Sequence, residues 1–233
     1  MASIEIVGSD GHVLIDQNYK SLTLFEKFKI TFDSGDHIIR GGTATISKTA
    51  PPGSIPVLAV SSSFLTAMRR YTKNGNSHTW VIACEASGRL KEVDCYLFNI
   101  PEKVQSANGV LQIFTESGQL VFDSNLDYCK AQDTLNSRSQ LTDTIAIPST
   151  GKFAHVMTIS AYQYSFTMAG PGSPGIHPVN LIMNFNGVST NSGVAKSATF
   201  TYSFQSFVMA DPPTISGLTN PDAKVLIIDV TNI

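Results

Sequence analysis

Along residues 160–204 apolar and polar side chains alternate almost one for one. Tyr162, Tyr164, Phe166 and Met168 alternate with Gln163, Ser165 and Thr167; Val179, Leu181, Met183 and Phe185 follow the same rule, as do Phe200, Tyr202 and Phe204. A period of two puts successive side chains on opposite faces of a pleated backbone, and Tyr, Phe, Thr and Val suit that half-buried surface, so these windows predict antiparallel strands. Turn chemistry punctuates them, in the Gly- and Pro-rich residues 169–175 and in Asn184-Phe185-Asn186-Gly187. No helical apolar stripe runs longer than about ten residues; the best helical candidate, residues 62–71, is short. Two denser apolar runs, 93–98 and 224–230, read as buried strands. The pattern predicts an all-β protein, most simply two tandem β-sandwich-like domains.

The two domains follow from a repeat. Residues 4–18 read IEIVGSDGHVLIDQN and residues 111–125 read LQIFTESGQLVFDSN. At a constant offset of 107, Ile6 meets Ile113, Gly11 meets Gly118, Asp16 meets Asp123 and Asn18 meets Asn125, while Ile4/Leu111, Val13/Leu120, Leu14/Val121 and Ile15/Phe122 keep apolar character. Each copy predicts a hairpin whose Gly takes the positive φ that a tight turn needs. Register then requires both copies to bury the same face, Ile4, Ile6, Val13 and Ile15 in one core and Leu111, Ile113, Leu120 and Phe122 in matching places of the other, because a one-residue slip reverses every side chain. Asp16 and Asp123 are expected to end the second strand and accept local backbone N–H groups. The runs at 93–98 and 224–230 each close one half, and residues 101–109 carry the Pro, Gly and polar content of a linker. The expected organisation is a first domain over 1–100, a linker over 101–109 and a second domain over 110–233.

Candidate chemistry is sparse. The five histidines, His12, His37, His78, His155 and His177, never fall within ten residues of one another, so no paired metal-ligand spacing exists. Asp33-Ser34-Gly35-Asp36-His37 lacks the alternating oxygens and late Glu of a calcium loop and reads as a solvated turn. No GxSxG elbow, Walker A or GxGxxG element occurs, so no catalytic, cofactor-binding or metal residue is assigned. Cys84, Cys95 and Cys129 lie in or beside apolar strands and read as small buried hydrophobes. The possible ligand or receptor contacts are Trp80 and His78 in one polar-flanked segment and His177 beyond the Gly/Pro loop. The apolar neighbours Val81, Ile82 and Ala83 suggest a strand and favour burial of Trp80 against the first core over exposure. Met68-Arg69-Arg70-Tyr71-Thr72-Lys73 is the single basic cluster and reads as a solvated face.

Composition narrows the classes. Only 15% of positions are charged and the net charge is -2, which removes the electrostatic footprint of a nucleic-acid binder. The missing charge is replaced by 26 Ser and 21 Thr. No apolar run approaches the roughly 20 residues of a membrane span, and no leader pattern follows Met1, so synthesis in a reducing cytoplasm and no membrane partner are expected.

The segment from Gly109-Val110-Leu111-Gln112-Ile113-Phe114 to Gly118-Gln119-Leu120-Val121-Phe122-Asp123-Ser124 resembles the opening hairpin of small virion proteins of tailed bacteriophages. Those proteins begin on G-L-Q-[IV]-F/Y, a short polar turn with Gly, then L-x-F/L-D-S. The resemblance covers about 16 residues and implies a compact β domain that is tail- or fibre-associated and non-enzymatic. Its expected partners are other virion proteins, including copies of itself in the assembled particle. The alternative reading is a carbohydrate- or receptor-binding β module, with a host glycan as ligand.

Overall fold

Strand-forming runs separated by Gly, Pro and Asn become β-strands throughout the computed structural model. It describes residues 5–7, 13–16, 22–35, 40–100, 111–115, 117–118, 120–138, 142–157, 162–168, 177–191, 193–209, 219–220 and 222–233. In chain order the strands are β1 (Glu5–Val7), β2 (Val13–Asp16), β3 (Thr23–Thr31), β4 (Thr43–Thr49), β5 (Val57–Ser61), β6 (Thr66–Asn74), β7 (Ser77–Cys84) and β8 (Glu92–Asn99). They continue as β9 (Gln112–Phe114), β10 (Leu120–Asp123), β11 (Lys130–Arg138), β12 (Asp143–Ala146), β13 (Phe153–Met157), β14 (Tyr162–Met168), β15 (His177–Asn191), β16 (Val194–Met209), β17 (Thr219–Asn220) and β18 (Asp222–Asp229). The protein is all-β. Among the described residues no helix is long and apolar enough to cross a membrane.

Two large sheets carry the structure, and each draws on both ends of the chain. The six-stranded sheet runs β11-β18-β13-β5-β8-β3, and the eight-stranded sheet runs β12-β16-β15-β6-β7-β4 with β14 and β17 attached beside β15. Strands from before residue 100 and after residue 110 therefore meet edge to edge in both layers. In one layer His155 pairs with Val60 and Val156 with Ala59; in the other Val188 pairs with Thr66. The linker expected at 101–109 lies outside the described residues. Backbone hydrogen bonds tie the two stretches together along this seam.

Strand for strand, the two stretches follow the same order. The chain path β1 to β8 is matched by β9, β10, β11, β12, β13, β15, β16 and β18, with β14 and β17 as additions. The pairing repeats in detail. β3 lies against β8 from Thr23↔Asn99 to Thr31↔Glu92, with a bulge between Leu24 and Glu26. β11 lies against β18 from Lys130↔Asp229 to Arg138↔Asp222, with a bulge between Ala131 and Asp133. The offset of 107 that relates the hairpin sequences carries Thr23 onto Lys130 and the first bulge onto the second. The outer strand of the large sheet ends alike in both stretches: Ala50 N–H donates to Asn76 O, and Ile147 N–H donates to Gly193 O.

Burial explains why the layers stack. Phe32, Ile46, Leu58, Val60, Trp80, Ile82, Cys95 and Leu97 form one apolar cluster between the sheets in the first half. Leu135, Phe153, Val188, Val225 and Ile227 form its counterpart in the second. The opposite face of the six-stranded sheet is also dry. Ala59, Tyr96, Phe98, Ala154, Val156 and Ile228 pack together there, drawn from both halves. That face closes because Leu24 N–H donates to Asp127 O (2.7 Å) and Cys129 N–H to Leu22 O (2.8 Å), tying the start of β3 to the segment leading into β11. An isolated bridge between Thr23 and Tyr128 lies between these two bonds, so the first residues of β3 meet the segment before β11.

Two local expectations change. Residues 66–71, within the candidate helix at 62–71, belong to β6. The Asn184–Gly187 stretch, expected to turn, runs straight through β15. Gly187 is there for close approach: a Cβ on it would lie 2.6 Å from Phe200 Cε1 and 3.0 Å from the Thr66 carbonyl oxygen. A glycine inside a strand often marks such a contact. Gly187→Ala is expected to cost about 1–3 kcal/mol, the usual cost of overpacking; urea unfolding measures it, and an unchanged midpoint would show that the seam is loosely packed.

Candidate functional site

The residues singled out from sequence fall into three environments. Trp80 (4% exposed) and His78 (0% exposed) are buried on β7. They sit two residues apart, so both face the same side, and Trp80 joins the first-half core. The two rings lie 6.0 Å apart at an interplanar angle of 22°, and Tyr71 on β6 covers them, 5.5 Å from Trp80 and 6.0 Å from His78. Tyr71 Oη and His78 Nδ1 are 2.6 Å apart. Burial, aided by nearby Lys73, holds the His78 pKa below its usual range. The outer member of this aromatic row is Tyr71, which the sequence reading did not select. A direct ligand contact through Trp80 or His78 therefore requires the row to open. His177 begins β15, opposite Met209; its side chain lies outside the described residues.

Because Trp80 is the only tryptophan, its emission reports this core. Native protein is expected to fluoresce at the short wavelengths of a buried indole and to shift red on unfolding; solvent-like emission from the native state would contradict the placement.

His155 is the second buried histidine, at the seam. Its Nε2 lies 2.8 Å from Thr66 Oγ1, whose hydroxyl donates to the Val188 carbonyl at 3.3 Å. Nδ1 on the other side of the ring is buried without a hydrogen-bond partner among the described residues. Leu58, Val60, Met68, Trp80 and Ile82 share a small internal gap with the ring. Burial drives its pKa down to about 3. Neither His78 nor His155 has a carboxylate among its described partners, so neither forms an acid–histidine–nucleophile relay.

Other candidates act locally. Asp33 Oδ1 accepts the N–H groups of Gly35 (3.0 Å) and Thr43 (2.7 Å), a turn that organises itself. Among the described residues no three His, Cys, Asp or Glu side chains gather as a metal site. Cys84 and Cys95 are buried thiols with pKa values pushed up to about 11 and about 12 by desolvation, and burial raises that of Cys129 as well. None is poised as a nucleophile.

The second hairpin is the best-defined surface feature foreseen in the sequence. β9 and β10 pair from Gln112↔Asp123 to Phe114↔Leu120, and Gly118 has φ +77°. Asp123 Oδ1 accepts the N–H of Asn125 (2.9 Å), while Oδ2 accepts from Gln112 Nε2 (2.7 Å). Tyr128 stacks on Phe122 at 5.0 Å, and its hydroxyl donates to the Asp123 carbonyl. Ile113 and Leu120 are buried. Leu111 (51% exposed) and Phe114 (39%) face outward, although Leu111 was expected in the core. It lies one residue before the first rung of the hairpin, where its carbonyl accepts from Ser124 N–H at 3.0 Å. In the first hairpin β1 and β2 pair from Glu5↔Asp16 to Val7↔Val13; Gly11 lies outside the described residues. Compared with protein-family models, curated proteins and solved structures, the chain matches none of them.

Proposed function

We propose that this chain is a structural, non-enzymatic component of a bacteriophage virion, in the tail or its fibre apparatus, working through protein–protein contacts with other virion proteins and with copies of itself. It is made in the host cytoplasm and ends in the particle. The observation that carries the reading is the hairpin of β9 and β10, formed by the segment that resembles the opening of small tail- and fibre-associated virion proteins. Its outward Leu111 and Phe114 supply apolar contact on a surface poor in charge, and apolar, charge-depleted patches form the buried centres of protein interfaces.

The same reading includes duplication of an ancestral β unit. Matching strand order, bulges at one offset and equivalent strand-end hydrogen bonds all favour it. Each unit is a two-layer sandwich of six core strands, residues 1–100 and 110–233, and the two units have fused their sheets side by side. Mass spectrometry of purified particles from infected cells tests the assignment. The polypeptide is expected among the virion proteins at stoichiometric abundance, and its absence would overturn the reading.

A further inference from the structure

We propose that a cleft on the outer face of the eight-stranded sheet, lined by Arg69, Arg70, Val81, Tyr162 and Phe185, binds an acidic monosaccharide unit, with the two guanidiniums taking its anionic group. This goes beyond a packing role in a particle and stands independently of it. The cleft encloses about 310 Å3, at the lower end of the range of small-ligand sites.

A backbone irregularity builds it. On β6, Met68 pairs with Ile82 and Arg70 with Val81, so Arg69 is an extra residue. Met68 packs into the clusters between the sheets, and Tyr71 joins Trp80 in the inner aromatic row. The two residues between them, Arg69 and Arg70, are thus both turned to the outer face, where regular alternation would place only one. Bulges are known for re-aiming side chains beside functional sites.

One charge is held in place, that of Arg69. Arg69 Nη1 donates to Tyr202 Oη at 3.3 Å and its guanidinium lies 5.4 Å from the centre of that ring. Tyr202 Oη is in turn 2.6 Å from Thr43 Oγ1. Among the described residues neither arginine pairs with a carboxylate and no acidic side chain lines the cleft. Two of the five arginines of a net-negative chain converge here. Planar guanidinium forks suit carboxylate and phosphate oxygens.

The rest of the lining selects the carrier of the anion. Val81 is apolar floor, and Tyr162 meets Phe185 edge to face, 6.5 Å between centres at 61°. That corner accepts the C–H face of a puckered sugar ring; the described lining residues hold no pair of parallel rings to sandwich a flat base.

Calorimetric titration of the full chain with glucuronate, N-acetylneuraminate, glucose 6-phosphate, glucose, adenosine monophosphate and inorganic phosphate tests the site. At least one acidic sugar is expected to bind at least tenfold more tightly than glucose and than phosphate alone, weakening as salt rises. Glucuronate against glucose 6-phosphate identifies the anion. Arg70→Ala is expected to lose at least tenfold in affinity and Arg70→Glu to abolish binding, both with unchanged circular dichroism. Equal binding of glucose or of bare phosphate, tighter binding of the nucleotide, unaltered affinity in folded Arg70 variants, or no binding of any acidic sugar would each overturn the proposal.

Discussion

Lowering the pH from 6.5 to 4.5 is expected to remove about 2 kcal/mol of stability through His155 alone, the loss steepening toward roughly 1.4 kcal/mol per pH unit below pH 6. The imidazole is neutral in the fold because burial pulls its pKa down to about 3, whereas in the unfolded chain it titrates near 6.5. Its contribution is therefore full above about pH 6.5 and is lost as the pH falls toward 3, since the unfolded state takes up the proton first. The depressed pKa of His78 acts in the same direction. His155→Leu is the informative comparison. His155 faces Ile227 on the same rung at which Leu58 faces Leu97 in the first half, so leucine suits the site. Urea unfolding at pH 7 and pH 5 should show the variant losing about 2 kcal/mol less than the wild type over that interval. Equal losses would mean that water reaches the ring.

Gly41→Ala is expected to be at least as damaging, costing about 3 kcal/mol or more. Residues 40–42 thread between the middle of β16 and the end of β7. Arg40 and Gly41 both donate N–H groups to the Tyr202 carbonyl, at 2.8 and 3.2 Å, and Gly42 O accepts from Cys84 N–H at 2.9 Å. A Cβ on Gly41 would stand 1.9 Å from the Cys84 carbonyl oxygen. That oxygen belongs to backbone pinned in the ladder of β7, opposite Thr66 on β6, so relief requires two sheet elements to part. A fall in Tm on the order of 10 °C follows for a chain of this size. A variant melting within a degree or two of wild type would show that the segment has room.

Where the sequence was legible, alternation did the reading. The windows around Tyr162, Leu181 and Tyr202 became β14, β15 and β16, and the buried runs ending each half became β8 and β18. β6 was missed because its bulge breaks the alternation at Met68-Arg69-Arg70-Tyr71, and the same break conceals that both arginines share a face. Asn184 to Gly187 carries turn residues, yet tertiary pairing with β16 and the need for close approach to Thr66 outweigh local preference. The seam left no trace in the pattern. Pairing of Val60 with His155 joins residues far apart through backbone groups, which every residue owns, so no side-chain code announces it. Tyr71 went unselected for a related reason: its place over Trp80 depends on register across β6 and β7.

The central claim is that two equivalent halves share both sheets and behave as one folded body. Hydrogen exchange of backbone amides at the seam tests it most directly. Amides of the pairs His155↔Val60 and Val156↔Ala59 are expected to exchange as slowly as those of Leu97 and Ile227 on the flanking strands β8 and β18, through the same global opening. Fast exchange at the seam, with Leu97 and Ile227 still protected, would contradict the claim and describe two domains that merely touch.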